Sequence, residues 1–202
     1  MEPIVTLMQK SNQVEFPIAD LIKQRRSSRA FSSRLVEHEK IQSLFEASRW
    51  APSSMNEQPW SYLYATKDQP ELWIKLLNTL IESNRIWAKE APLLILSMAR
   101  KTHIRNGMLN GSASYDVGAA NAFLSMQATH LGLNLRQIGG YDRQKAIDTF
   151  NIPETHDPMV ILAVGYWGEA DRLSDNLAQR ESAPRERYTQ DVFVMNKSFE
   201  GR

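Results

Sequence analysis

Apolar residues recur along the chain at two spacings, and the switches between them divide it into helices and strands. Pro17 opens a helical stretch in which Ile18, Leu21 and Ile22 share a face, ending near Arg25–Ser28. A second helix is predicted over Glu37–Arg49, with Ile41, Leu44, Phe45 and Ser48 on one side. Between Ala51 and Trp60, two prolines bracket six residues. Each proline pushes the residue before it out of the α region, so this stretch is neither helix nor regular strand. Trp60–Thr66 reads as a strand, Pro70–Ser83 as a helix and Pro92–Ala99 as a short buried strand. Asp116 is placed to cap a helix running to His130, closed by Gly132 at the left-handed position. Leu133–Ile138 follows as a strand, Asp142–Phe150 as a helix and Pro158–Tyr166 as a central strand. The polar tail from Asp171 is expected to be extended. No internal repeat or low-complexity linker interrupts the pattern, which predicts one α+β domain over 1–202, with about 171–202 as an extension.

The helix from Asp116 to His130 departs from the amphipathic norm, being apolar nearly all round. Gly118, Ala122, Ser125 and Thr129 form a narrow stripe of small residues along it. Two readings fit: a central core helix, or a helix buried between two subunits.

Composition narrows the chemistry. The chain has 202 residues, with 24 Lys and Arg against 23 Asp and Glu, and no Cys. The lack of cysteine excludes a disulfide scaffold, a thiolate metal site and a cysteine nucleophile, so any redox chemistry must be carried by a bound cofactor. Near-neutral charge argues against a broad nucleic-acid face. The N-terminus lacks the pattern of a signal peptide, and the apolar runs fall short of the roughly 20 residues that span a bilayer. A soluble, cytoplasmic protein is expected. The neutral average conceals a basic segment, however: Lys23, Arg25, Arg26, Arg29 and Arg34 lie between Asp20 and Glu37 with no acid among them.

Four short motifs carry candidate chemistry. Arg25-Arg-Ser-Ser-Arg29 offers planar guanidinium forks and hydroxyls suited to a phosphate, although a solvated basic helix end would look the same. Pro52-Ser-Ser-Met-Asn56 is a stiff loop with short polar side chains that suits a ligand edge or a capped turn. Gly139-Gly140 lets backbone pass close to a ligand or simply turns the chain. Arg185-Glu-Arg187 is by itself an ordinary charge cluster. No dinucleotide-binding glycine fingerprint, P-loop or nucleophile elbow is present, and the four histidines, His38, His103, His130 and His156, are too dispersed for a local metal motif.

In their order and spacing these segments resemble the flavin-dependent nitroreductase family. The resemblance runs from Ile22-Lys-Gln-Arg-Arg-Ser-Ser-Arg-Ala-Phe31 through Ala47–Trp60, Asn84 and Ala91-Pro92. It continues in Tyr115–Ala120, Leu131-Gly-Leu133, Gly139–Asp142 and Val164-Gly-Tyr166, and closes with Ala183-Pro-Arg-Glu-Arg187 before Val192-Phe193. It implies an α+β sandwich with a mixed central sheet flanked by helices. It also implies an intertwined homodimer binding FMN at its interface, with a C-terminal tail embracing the partner subunit. The helix from Asp116 to His130 would then lie in the dimer core.

The same resemblance assigns roles. Arg25 and Ser27 match residues that hold the FMN phosphate and ribityl chain, and Arg185 and Arg187 match a late basic pair closing on that phosphate. Arg26 lies among them, and two readings fit it equally: a side chain toward the ligand or one toward solvent. Arg29 matches a cation near the flavin pyrimidine, where it favours the reduced anion. Asn84 matches an amide on the pyrimidine edge, Pro52, Ser53, Ser54 and Asn56 a loop reaching the other subunit's flavin, and Gly139 and Gly140 the backbone beside the isoalloxazine. At Arg136 the chain departs from the pattern, since many members carry His before the glycine pair. The implied activity is ping-pong transfer from NADH or NADPH to a small oxidised acceptor, a nitroaromatic or quinone, at one shared flavin face, with no catalytic side chain of the protein and no metal. Lys101–Ser114, rich in turn signals, reads as a cover over that face or as a surface loop. The alternatives are a specialised flavin oxidase or dehalogenase, and an FMN-binding or storage protein without turnover. The first is disfavoured by the lack of an extra domain or long lid insertion, the second by an intact Arg29.

Overall fold

The computed structural model of the chain describes residues 10–11 and 14–196. The last residues of the expected extension, 197–202, lie outside the described residues, as do 1–9 and 12–13. In chain order the elements are β1 (Lys10–Ser11), α1 (Asp20–Gln24), α2 (His38–Arg49), β2 (Trp60–Thr66), α3 (Pro70–Leu77), α4 (Glu82–Ala88), β3 (Leu93–Arg100) and α5 (Ala113–His130). They continue with β4 (Leu133–Ile138), α6 (Arg143–Phe150), β5 (His156–Tyr166), α7 (Asp175–Ser182) and β6 (Arg187–Tyr188).

Four strands form the central sheet in the order β2-β3-β5-β4. The expected mixed sheet is corrected here: every described pairing between neighbours is antiparallel. β3 and β4 run in the same direction, joined by the crossover helix α5, but β5 inserts between them and runs against both. Around Pro158 the β3–β5 register shifts, pairing Val160 with Ser97 but Pro158 with Met98. The extra residue, Met159, is a bulge that accommodates a residue without an N–H inside a central strand.

Strand alternation explains the sandwich. Leu93, Ile95, Leu133, Leu135, Leu162 and Val164 face Ile41 and Leu44 of α2 and Leu124 and Ala128 of α5. Leu94, Leu96, Ile138, Ile161 and Ala163 face Trp73, Leu76 and Leu77 of α3, Trp87 of α4 and Ala146 of α6. With both faces covered, β3 is a near-continuous apolar run even though its pairings are antiparallel.

Three helices differ instructively from the sequence pattern. The helix predicted over Pro70–Ser83 is two, α3 and α4. The chain breaks at Thr79–Ile81 because that segment pairs with 139–142: Asp142 N–H donates to Thr79 O at 2.7 Å and Leu80 bridges Tyr141. In α5, Ser112 rather than Asp116 stands at the N-cap, and Asp116 is buried within the helix. Nor is α5 covered on every side within the chain: Tyr115 and Phe123 are exposed, and so are Gly118 and Ala122 between them. Gly132 closes α5 at φ +72° as the pattern predicts, and Asp142, read as the first residue of a helix, stands at the N-cap of α6 and accepts from Lys145 N–H. The tail is not simply extended, since it holds α7 and pairs β6 with β1.

Candidate functional site

α1 stops at Gln24, and the chain runs on through Arg25–Phe31 in a loop that the fold holds firmly. Ser28, 2% exposed, donates its N–H to Asn134 Oδ1 and accepts from Asn134 Nδ2, both at 3.2 Å, with Asn134 fully buried on β4. Leaving either Ser28 group unpaired in the interior would cost about 1–3 kcal/mol, so this amide fixes the loop's path. Phe31 bridges Trp167 and stacks on Trp87 with ring centroids 6.3 Å apart. The loop therefore presents Arg25, Arg26, Ser27 and Arg29 from a rigid base.

The tail meets them from the other side. Arg26 Nη2 donates to Glu181 O at 2.9 Å and Arg29 N–H to Glu181 Oε2 at 3.0 Å. Arg185 donates to Arg25 O at 2.7 Å and to Lys23 O at 2.6 Å. Between the segments lies a pocket of about 220 Å³ lined by Arg25, Arg26, Ser27, Arg29, Arg136, Arg180, Glu181, Ala183, Pro184, Arg185 and Arg187. Seven arginines face one glutamate in a chain whose net charge is +1. Crowding is felt in the ionisation: burial lowers the Arg25 pKa, with the charges of Arg185 and Arg187 adding to it. Arg136 is lowered by burial and then by Arg29, against the opposing pull of Glu181. Guanidiniums stay charged regardless, so the strain is relieved by an anion placed among them.

Arg136 continues the site toward the other end of β4. Its guanidinium donates to Ser27 O and sits 5.5 Å from the centre of the Trp87 ring. One turn before Trp87 on α4, Asn84 donates from Nδ2 to Gly140 O at 2.9 Å. A Cβ on Gly140 would lie 2.5 Å from Asn84 Nδ2 and 2.9 Å from Ile81 Cδ1. A side chain there would have to displace the ends of Asn84 and Ile81, and with them the Asn84–Gly140 hydrogen bond; the constraint is close approach, not a positive φ. Gly139 beside it is exposed and meets nothing.

Pro52, Ser53, Ser54 and Asn56 lie elsewhere, against the N-terminal turns of α5. Ser54 N–H donates to the buried carboxylate of Asp116 at 3.1 Å, and Ser53 Oγ accepts from Gln58 N–H. Met55, Asn56 and Gln58 all adopt positive φ. The next residue, Glu57, accepts from Arg100 and from Ile104 N–H, clipping this loop to a hairpin over 101–110 in which Thr102 bridges Leu109. That hairpin occupies the segment read as a cover or a surface loop.

Thus the structure brings together Arg25, Arg26, Ser27, Arg29, Arg185 and Arg187, and separately Asn84 with Gly139 and Gly140, while the 52–56 loop lines neither group. Arg136, Arg180 and Glu181 were not among the predicted binding residues. The available signal for Arg136 was its place three positions before a glycine pair, where many members of the resembling family carry His. No helix among the described residues is long and apolar enough to cross a membrane, and no group of three or more His, Asp or Glu residues among them is placed to hold a metal.

Comparison with known proteins is consistent with this geometry. The pattern of the Nitroreductase family matches residues 22–166. A solved structure of an oxidoreductase containing FMN superposes with a TM-score of 0.89 at 32% identity, covering 96% of this chain and 100% of that one. A Methanothermobacter thermautotrophicus protein provisionally named NADH dehydrogenase/NAD(P)H nitroreductase is 25% identical over 158 residues, 75% of this chain and 78% of its own. An uncharacterised 15.4 kDa protein of Mycolicibacterium smegmatis is 33% identical over 75 residues, which cover 37% of this chain and half of that protein.

Proposed function

This chain belongs to the nitroreductase family and is an oxidoreductase, and we propose that it binds FMN and uses NADH or NADPH to reduce nitroaromatic or quinone-like acceptors by a ping-pong mechanism. The observation that carries this reading is the arginine-lined pocket, assembled from residues 25–29 and 180–187. A phosphate monoester bears close to two negative charges at neutral pH, and the forked donors of Arg25, Arg185 and Arg187 with the Ser27 hydroxyl suit its oxygens.

The remaining residues fit the rest of the group. Asn84 commits Nδ2 to Gly140, which leaves Oδ1 to accept from the N–H of a pyrimidine edge. Gly140, where a Cβ would displace the Asn84 amide, brings backbone against the same side chain. When bound, the flavin supplies two-electron transfer in turn from the nicotinamide and to the acceptor. The protein supplies position, exclusion of water and a field: Arg29, seconded by Arg136, favours negative charge at the adjoining part of the ligand. A colourless protein that FMN cannot reconstitute would overturn this reading. A yellow protein bleached by NADH or NADPH without oxygen supports it, and one bleached by neither is a flavin carrier instead.

The exposed face of α5 supports a homodimer. Gly118 and Ala122 leave a shallow strip between Tyr115 and Phe123, which suits close approach of the same helix from a second copy. The 52–56 loop, braced on the same helix by Asp116, would then lie near the partner's cofactor. Sedimentation at twice the chain mass is expected, and a monomer at micromolar concentration would refute it.

A further inference from the structure

The arginine pocket contains a group whose charge opposes its purpose. Among the residues lining it, Glu181 is the one acid, and a carboxylate facing a phosphate site weakens anion binding by repulsion. Its hydrogen bonds point to a different task. The Glu181 carboxylate accepts from Arg29 N–H at 3.0 Å, and its carbonyl oxygen accepts from Arg26 Nη2 at 2.9 Å. Both partners belong to the phosphate-facing loop, 155 and 152 residues earlier in the chain.

Glu181 lies in the last turn of α7. Immediately after it the backbone turns extended, with Ala183 at φ −60° and ψ 141°, and Pro184 stiffens the next step. Arg185 and Arg187 follow directly. Glu181 thus holds the tail at the last regular point before the basic pair. Arg185 adds a second tie where its guanidinium meets Arg25 O and Lys23 O.

We propose that Glu181 is a positioning residue for the cofactor phosphate, clasping the C-terminal tail to the Arg25–Arg29 loop so that Arg185 and Arg187 close the pocket. This rests on the FMN reading above. The clasp and the charge act with opposite signs, which makes them separable. Glutamine in place of Glu181 keeps an acceptor for Arg29 N–H and removes the repulsive charge, whereas alanine removes both.

The test compares the full-length wild type, Glu181→Gln and Glu181→Ala by FMN fluorescence titration and stopped-flow dissociation. Hydrogen exchange of residues 183–188 is followed in the FMN-free proteins. Glu181→Ala is expected to weaken FMN several-fold and by less than about tenfold, the loss of one charge-assisted hydrogen bond partly offset by the repulsion removed, mainly through faster dissociation. Its tail amides should exchange faster than in the wild type. Glu181→Gln is expected to bind at least as tightly as wild type and to keep the protected tail. Equal affinity in all three proteins would overturn the clasp, and so would a loss in Glu181→Gln matching that in Glu181→Ala. If the wild type binds no FMN, the cofactor reading fails by itself. Tail exchange then decides the clasp alone, upheld by faster exchange only in Glu181→Ala and overturned by equal exchange in all three.

Discussion

Replacing Arg185 and Arg187 together with alanine is expected to weaken FMN binding about 100-fold, roughly 2.7 kcal/mol, while leaving the fold intact. Hydrogen bonds to charged groups are worth about 1.5–3 kcal/mol each. Both arginines stand exposed at the pocket mouth, where water screens them, so each is placed at about 1.35 kcal/mol, just below that range. The backbone oxygens that Arg185 holds, on Arg25 and Lys23, can turn to solvent when it is removed, which is why stability should not suffer. Fluorescence titration at fixed ionic strength measures the effect, because salt screens such contacts. Lysine at both positions should recover part of the affinity, keeping the charge but losing the planar fork. Unchanged affinity in the alanine pair would remove the tail from the cofactor site.

The largest loss of stability is expected from Gly168→Ala. A Cβ at this position would lie 2.4 Å from the carbonyl carbon of Phe31, 2.5 Å from its oxygen and 2.9 Å from its nitrogen. These are backbone atoms, so no side-chain rotation relieves the overlap. Gly168 N–H donates to Ala30 O at 3.2 Å and Trp167 bridges Phe31. The clash therefore falls on the strand-like contact that anchors the arginine loop. Overpacking of this kind costs about 1–3 kcal/mol, occasionally more, and at about 3 kcal/mol a chain of this size should lose roughly 6–12 °C in Tm. Calorimetry of the FMN-free protein checks this. FMN affinity should fall as well, since Arg25–Arg29 are displaced with the loop. A variant with wild-type Tm would show that the backbone at Phe31 yields easily.

What could be read from residue order alone follows a physical line. α2, β2, β3, β4, α6 and β5 announce themselves because each buries one face or both against the sheet, and burial leaves a period in the sequence. The breaks that tertiary pairing imposes leave no such period. Thr79–Ile81 lies inside a good helical pattern, and only its pairing with 139–142 divides α3 from α4 and sets Asn84 against Gly140. Asp116 looks like a helix cap, yet it is buried and spends a carboxylate oxygen on Ser54 N–H, a partner that spacing could not reveal. The antiparallel sheet in place of a mixed one turns on β5 slipping between β3 and β4, a choice of strand order rather than of strand sequence.

The opposite imbalance holds for the site. Arg25, Arg26, Ser27, Arg29, Arg185 and Arg187 were legible as charged motifs, but each motif alone looked like an exposed cluster. Their meeting is a property of the fold, because guanidinium groups about 160 residues apart gain nothing from sequence proximity and must be brought together against their own repulsion. The sequence by itself determined which segments bury apolar surface, that no cysteine chemistry is available, and that positive charge is concentrated early and late in the chain. The family resemblance already set those two ends on one phosphate. Only the tertiary structure decided through which contacts they meet, that Arg136 joins them from β4, and that Glu181 ties the tail across the pocket. Periodicity records contact with a shared core, whereas a site records contact between particular side chains, and that is settled only when the chain has closed.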